Sequence, residues 1–333
     1  MTKNNKLGAK EKELLVASAS FDEAIAAEAM AELAMAFQIP LRQGILNGDI
    51  TGGIFTPIEV EINATTEFPL DFLAPGTEKE HVAYTIPNHG TIPHRYIEGD
   101  KVNVPVYDIG NSIDWNLNYA RDARWDVVSK AEKVFRGGFI KKWNDDCWQT
   151  ILTAGFDRNI IVYDSDAAAG QFTKRLVSLM KTVMRRNGGG NSTSVNRGKL
   201  TDLYLSPEAM EDMRNWNVDQ VDEITRREIF NAGDGILNRI FNVNLHDLDE
   251  LGEGQEYNSY FDDDLGATLP AGDLEIVVGL DLSNNDSFVM PIREQVAVFN
   301  DPTLHRMRKA GVYGWMSAGV ACTDGRRVLI GSL

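Results

Sequence analysis

Cysteine is almost absent: in 333 residues only Cys147 and Cys322 occur. Two thiols cannot build a disulfide framework, and they lack the paired spacing of a zinc ribbon or redox motif. A reducing compartment is therefore expected. No apolar run approaches the roughly 18 residues of a membrane-crossing helix. The opening MTKNNKLGAKEKELL is charged and has neither the apolar core nor the cleavage site of a secretory signal. The expectation is a chain made in the cytosol, with no membrane partner. Positive charge is also scarce, since 33 Lys and Arg face 49 Asp and Glu for a net charge of −16. Such a balance opposes capture of nucleic acid through phosphate neutralisation.

Catalytic signatures are missing as well. His89 and His94 are close in NHGTIPH, but His81, His246 and His305 complete no HExxH or helical i,i+4 pair, so no metal is assigned. Gly188–Gly190 follows a helix, whereas a phosphate loop precedes one and continues into Lys and Ser/Thr. Asp164 with Asp166, and Asp262–Asp264, lack EF-hand spacing and read as solvated loops. Ser317 in GWMSAG misses the nucleophile-elbow spacing, and Cys147 falls on an apolar helical stripe. Arginines paired at 185/186, 226/227 and 306/308 either meet acidic neighbours on other subunits or solvate surfaces. No catalytic residue and no cofactor are expected.

What is present is an ordered sequence of patterns, and 43% hydrophobic residues are enough for a substantial core. Residues 9–38 are Ala-rich and helical, with Leu14, Leu15, Ile25, Ala29, Leu33 and Phe37 at spacings that suit one face. This is either an amphipathic arm lying on something else or an ordinary core helix. Residues 56–115 turn to extended sequence, IEVEI, HVAYTI and VNVPVYDI, separated by Pro and Gly. A projecting hairpin fits them. Residues 117–154 form a long helix, with Val127, Ala131, Phe135, Phe139, Trp143, Cys147 and Ile151 every four residues and Gly137–Gly138 as a bending point. A helix over 171–186, a strand over 200–206 and a helix begun by Ser206-Pro207 follow. DLEIVVGLDL and EQVAVFN read as strands, and Asp324-Gly325 predicts a terminal hairpin.

Two stretches resemble one family. GTIPHRYIEGDKVNVPVYDIGNSIDWNLNYARDARWDVV at 90–128 resembles the join between extended loop and spine helix in major capsid proteins of tailed bacteriophages with the Hong Kong 97 fold. MPIREQVAVFNDPTLHRMRKAGVYGWMSAGVACTDGRRVLIG at 290–331 resembles their closing peripheral strands, including the Asp-Pro turn. The resemblance implies an α+β fold with an N-terminal arm at 1–55 and an extended loop at 56–116. It implies a peripheral domain from 117–158 and 287–333, and an axial domain at 159–286. The implied function is a structural subunit that self-assembles, as pentamers and hexamers, into an icosahedral head enclosing double-stranded DNA.

The implied partners are other copies of the chain, a separate scaffolding protein, a portal and possible decoration proteins, with DNA enclosed but not read by sequence. The implied location is the virion, assembled in bacterial cytoplasm. Cross-linking through Lys79 or Lys101 is not carried over, because nothing in the sequence marks either as reactive. Phe68, Phe72 and Tyr84 on the extended region, and Tyr257, Tyr260 and Phe261 on an axial loop, are the candidate subunit-interface residues. Each either anchors an interface or packs within its own subunit. The rival readings are an encapsulin-like compartment, separated by an enzyme cargo, and a two-lobed soluble hydrolase, separated by a small oligomeric state and a concave site.

Overall fold

A computed structural model describes residues 9–20, 22, 24–35, 51, 53–61, 64–69, 101–121, 125–187, 198–216, 239–270, 274–283 and 287–333. The chain opens with helices α1 (Ala9–Ser18) and α2 (residues 24–35), then strands β1 (Thr56–Glu59), β2 (Glu67–Pro69), β3 (Lys101–Asn103) and β4 (Tyr107–Asn116). Helices α3 (Leu117–Arg121) and α4 (Trp125–Asp157) follow, then β5 (Ile161–Val162), α5 (Lys174–Asn187), β6 (Asp202–Leu205) and α6 (Pro207–Asn215). The remaining strands are β7 (Arg239–Ile240), β8 (Val243–Asp247), β9 (Ile276–Leu280), β10 (Phe288–Asn300), β11 (Lys309–Ala318), β12 (Ala321–Cys322) and β13 (Val328–Ser332). Two compact units result. One comprises Met1–Thr66, Val104–Cys147 and Met290–Val320, the other Glu67–Asn103, Trp148–Val289 and Ala321–Leu333. The closing segment is thus shared between them.

In the first unit, β1, β10, β11 and β4 lie side by side in that order. β11 and β4 pair antiparallel without interruption from Lys309↔Asn116 to Ala318↔Tyr107. Ala310, Val312, Met316 and Ala318 point to one face and are buried. α4 covers that face. A Cβ on Gly314 would meet Phe135 Cζ at 3.2 Å, so the glycine permits the approach. Gly138 acts similarly, since a Cβ there would meet Asn111 Nδ2 at 2.6 Å. The bare backbone leaves room for that amide to donate to the Phe135 carbonyl at 3.1 Å. The helix runs on without a break through Gly137 and Gly138, and of the two only Gly138 makes a close approach, since a Cβ on Gly137 would meet nothing within 4 Å.

The N-terminal helical stretch is broken where Ser20 and Asp22 compete for backbone donors. Asp22 N–H donates to Ser20 Oγ at 3.2 Å, and Asp22 Oδ1 accepts from Ala24 N at 3.1 Å, which caps α2. Ala26, Ala29, Met30, Leu33 and Ala34 are buried within the chain, so α2 is a core helix of the first unit.

In the second unit, six strands run in the order β5-β13-β9-β6-β8-β7. α5 and α6 cover one face, where Phe172, Leu176, Met180 and Met210 pack with Leu203, Leu205, Val277 and Leu329. α4 residues from Trp148 onward cover the other: Trp148 meets Tyr204 edge-on at 4.8 Å, and a Cβ on Gly155 would meet Ile330 at 2.7 Å. Ser206 caps α6 as the sequence predicts, its Oγ accepting from Ala209 N at 3.0 Å with Pro207 first in the helix. Phe241 and Asn242, at φ 47° and 66°, make the tight turn from β7 to β8.

The expected hairpin at Asp324-Gly325 does not form. β12 pairs with Phe288 and Val289 of β10, whereas β13 pairs with β9 and β5. Asp324 Oδ1 instead accepts from Arg326 N at 3.1 Å and caps a short 3-10 turn over Gly325–Arg327. That turn delivers Arg327 inward, where its guanidinium pairs with Asp281 and both side chains are almost completely buried. Asp281 also accepts from Lys199 N at 2.8 Å and Ser283 N at 3.0 Å.

Two variants test this packing. Gly138→Val should expel the Asn111 amide and cost about 1–3 kcal/mol, read as an earlier urea midpoint. Asp281→Ala should strip Arg327 of its fully buried counter-ion, leaving only the Asp324 carboxylate at 3.5 Å, and cost about 3 kcal/mol in thermal unfolding; an unchanged melt would refute the pair's structural role.

Candidate assembly surfaces

The first unit's sheet has a second face, turned away from α4. An antiparallel sheet with one covered face ordinarily turns polar residues outward. Here Tyr313 and Trp315 of β11 point outward with Phe299 of β10, which pairs with Tyr313 in register. Ring centroids lie 4.6 Å apart for Phe299–Trp315, 5.7 Å for Phe299–Tyr313 and 5.6 Å for Tyr313–Trp315. Phe299 and Trp315 remain 38% and 39% exposed. On the flanking strand, Gly110 lies opposite Trp315, Ser112 opposite Tyr313 and Asp108 opposite Ser317. All three β4 residues are exposed. A solvent-facing aromatic cluster bordered by a carboxylate has the composition of an interface anchor.

Sequence reasoning missed these rings. Their signal was present: Tyr313 and Trp315 are two residues apart on a strand whose alternate positions, Val312, Gly314 and Met316, are small or aliphatic. A strand aromatic on one face and aliphatic on the other has two surfaces to satisfy.

The residues singled out from sequence fare differently. Tyr257 and Phe261 are 1% and 0% exposed, so neither anchors an interface. Tyr257 stacks on Trp148 at 5.9 Å, and Phe261 meets Phe156 edge-on at 6.2 Å, within the second unit's own core. The loop carrying them folds into a helical turn and a π turn, which aims alternate aromatics inward. Tyr260 is half-buried, with its hydroxyl 3.2 Å from Thr153 Oγ1. Phe68 is half-buried on β2, whose pairing with β3 joins Phe68 to Val102. Phe72 and Tyr84 lie outside the described residues, as do His81, His89, His94 and Gly188–Gly190.

The groups able to do chemistry are engaged structurally. Among the described residues, no cluster of three or more His, Cys, Asp or Glu is placed to hold a metal ion. Asp164 and Asp166 hold Arg175, and Ser317 is buried within β11. Cys147 is buried, and burial pushes the Cys322 thiol up to about 12. A groove between α2 and the Pro302–Met307 turn includes Met30, His305 and Asp301, but Asp301 is taken up in capping that turn through Thr303 N at 3.0 Å. No described helix is long and apolar enough to cross a membrane.

His246 and Asp202 form the one His–carboxylate pair among the described residues, with Nε2 and Oδ1 2.9 Å apart. The imidazole stacks on Tyr204 at 4.7 Å, which fixes its plane. Burial pushes the Asp202 carboxyl upward, but hydrogen bonds from His246, Thr201 and Asn244 outweigh burial and hold it below the usual carboxylate value. A folded-state value below the unfolded one means stability that is present above the unfolded value, about 3.9 for Asp, and lost as pH falls through the folded value. Asp202→Asn should therefore lower the melting temperature at pH 7, with the gap to wild type closing below about pH 4. A gap that persists in acid would show that charge is not what the pair contributes.

No protein-family profile and no curated protein sequence matches the chain. Solved structures do. A chain of the Cyanophage Pam1 capsid superposes with a TM-score of 0.58 at 14% identity, covering 84% of this chain and 88% of that one. A chain from Microbacterium phage Oxtober96 gives 0.57 at 11% identity, over 86% and 90%. The capsid of Myoviridae phage XM1 gives 0.51 at 13% identity, over 85% and 90%. Low identity across nearly the whole length marks a common fold, and the chain has the α+β fold of phage capsid proteins of the Hong Kong 97 type.

Proposed function

We propose that the chain is a structural shell subunit, the major capsid protein of a tailed bacteriophage, which self-assembles into an icosahedral head around double-stranded DNA. The observation that carries this reading is the fold shared with the Pam1 and XM1 capsid chains over more than four-fifths of the sequence. The work of such a subunit is association, and many modest contacts repeated by symmetry close a stable shell. The exposed cluster of Phe299, Tyr313 and Trp315 supplies apolar contact area for it. The net charge of −16 supports enclosing a polyanion without gripping it.

In this reading residues 1–55 are the arm, 56–116 the extended loop, 117–158 with 287–333 the peripheral domain and 159–286 the axial domain. The compact units divide the chain differently near its end, with Ala321–Leu333, and so β13, grouped with residues 148–289. Partners are further copies as pentamers and hexamers, with a separate scaffolding protein, a portal and decoration proteins. The half-buried Phe68 and Tyr260, with Phe72 and Tyr84, are the remaining interface candidates from the sequence.

Negative-stain electron microscopy with size-exclusion chromatography, on chain expressed with and without a scaffolding protein, tests the reading. Closed shells or five- and six-membered rings are expected. A monomer or dimer under every condition would sink it, and shells that retain an enzyme and exclude DNA would transfer it to a cargo compartment.

A further inference from the structure

Between β10 and β11 the chain turns through Pro302–Met307, capped at its start by Asp301 and closed by Arg308 in the left-handed region at φ 58°. The turn presents Arg306, Met307 and Arg308 to solvent, with Met307 58% exposed. Neither arginine has a carboxylate partner among the described residues, whereas the adjoining Lys309 pairs with Asp114 at 2.7 Å. In a chain of net charge −16, unpaired guanidinium groups flanking an exposed thioether are the minority chemistry. The complementary chemistry lies on the outer face of the same sheet. There the Phe299, Tyr313 and Trp315 rings are bordered by Asp108, which is exposed and has no cation partner among the described residues.

We propose that the tip of one copy docks on the aromatic face of a second copy, with Met307 against the Tyr313 and Trp315 rings and Arg306 or Arg308 paired with Asp108. This rests on the shell reading above and names the partner surface within it. A thioether packs favourably against aromatic rings, and a guanidinium both pairs with carboxylate and stacks on aromatic faces. The tip cannot satisfy its own face. Lys309 is registered opposite Asn116, four residues from Ser112, which is about 14 Å along the strand at roughly 3.4 Å per residue. Folding back would break the β11–β4 ladder. A contact between two different patches is head-to-tail, and it closes into a ring when the rotation between copies permits.

The test uses the full chain, assembled into particles. In Met307→Cys/Ser112→Cys, mild oxidation should give a ladder of covalent oligomers on a non-reducing gel, absent from either single variant. A bridge needs Cα atoms within about 7 Å, so only docked copies can form it. The native thiols compete poorly, Cys147 because it is buried and Cys322 because burial pushes it up to about 12. A second arm is independent of the thiols: Asp108→Arg should reduce the assembled fraction roughly tenfold through like-charge contact, and adding Arg306→Asp with Arg308→Asp should restore it. Shells by microscopy with no ladder, or reversal without rescue, overturn the docking and leave the shell reading standing. Wild-type chain that never assembles overturns both.

Discussion

The packing of α4 constrains everything else. Phe135, Phe139, Trp143, Cys147, Ile151 and Gly155 recur every four residues, and each is buried. Four residues advance about 400° around a helix of 3.6 residues per turn, so the buried stripe winds by about 40° at every step. The helix therefore has no single apolar side. Its earlier turns bury Phe135 and Phe139, edge-on to each other at 5.2 Å, within the first unit. Its later turns bury Trp148, Ile151 and Leu152 within the second. Each sheet depends on its own stretch of one helix about 50 Å long, at roughly 1.5 Å per residue. Glycines mark where backbone comes nearest: Gly138 against Asn111, Gly155 against Ile330 and Gly314 against Phe135.

Much of this order is legible in the sequence, because it follows from local rules. The four-residue stripe of α4, the Ser206-Pro207 start of α6 and the Asp301-Pro302 turn are each written in adjacent residues. Pairing between distant strands is not. Asp324-Gly325 carries a hairpin signal, yet Arg327 two residues later has its counter-ion on Asp281, and β13 has its partners in β9 and β5. The non-local contacts win over the local one. Tyr257 and Phe261 mislead for a related reason: a loop sequence does not reveal that a helical turn will aim them at Trp148 and Phe156. The outward rings were half-legible, since strand alternation separates Tyr313 and Trp315 from Val312 and Met316, but not which face a helix will cover.

Buried arginines among the described residues of the second unit are held by carboxylates or carbonyls, whereas the buried Glu275 carboxyl is pushed up by burial and by its acidic neighbours. Arg327 meets Asp281, Arg326 meets Asp324 at 2.7 Å, and Arg158 donates to the carbonyls of Gly325 and Val328 at 3.3 and 3.2 Å. Burial lowers the Arg158 guanidinium and the nearby Asp324 charge opposes that fall. Such pairs add little net stability over apolar packing, but they are costly to half-break. They hold both ends of the segment from Asp324 to Arg327, a short 3-10 turn that leads directly into β13.

In the proposed role, a subunit that works by association must also avoid association of the wrong kind. Apolar contact area drives assembly, and the same area invites disordered aggregation. In the first unit's sheet, exposed aromatic area is gathered into rings that stack on one another, with Asp108 beside them and β4 turning Ser112 and Asp114 to the same face. The opposite border strand β1 is only four residues long and carries Pro57 and Glu59, which discourages edge-to-edge pairing. A net charge of −16 repels copies at random orientation. Exposed cations lower that repulsion locally, and Arg306 and Arg308 are two of them, beside Met307 at the tip of the β10–β11 connection. In the proposed docking, the acidic balance would act as an orientation filter, favouring approach to the aromatic face by a surface that presents cations.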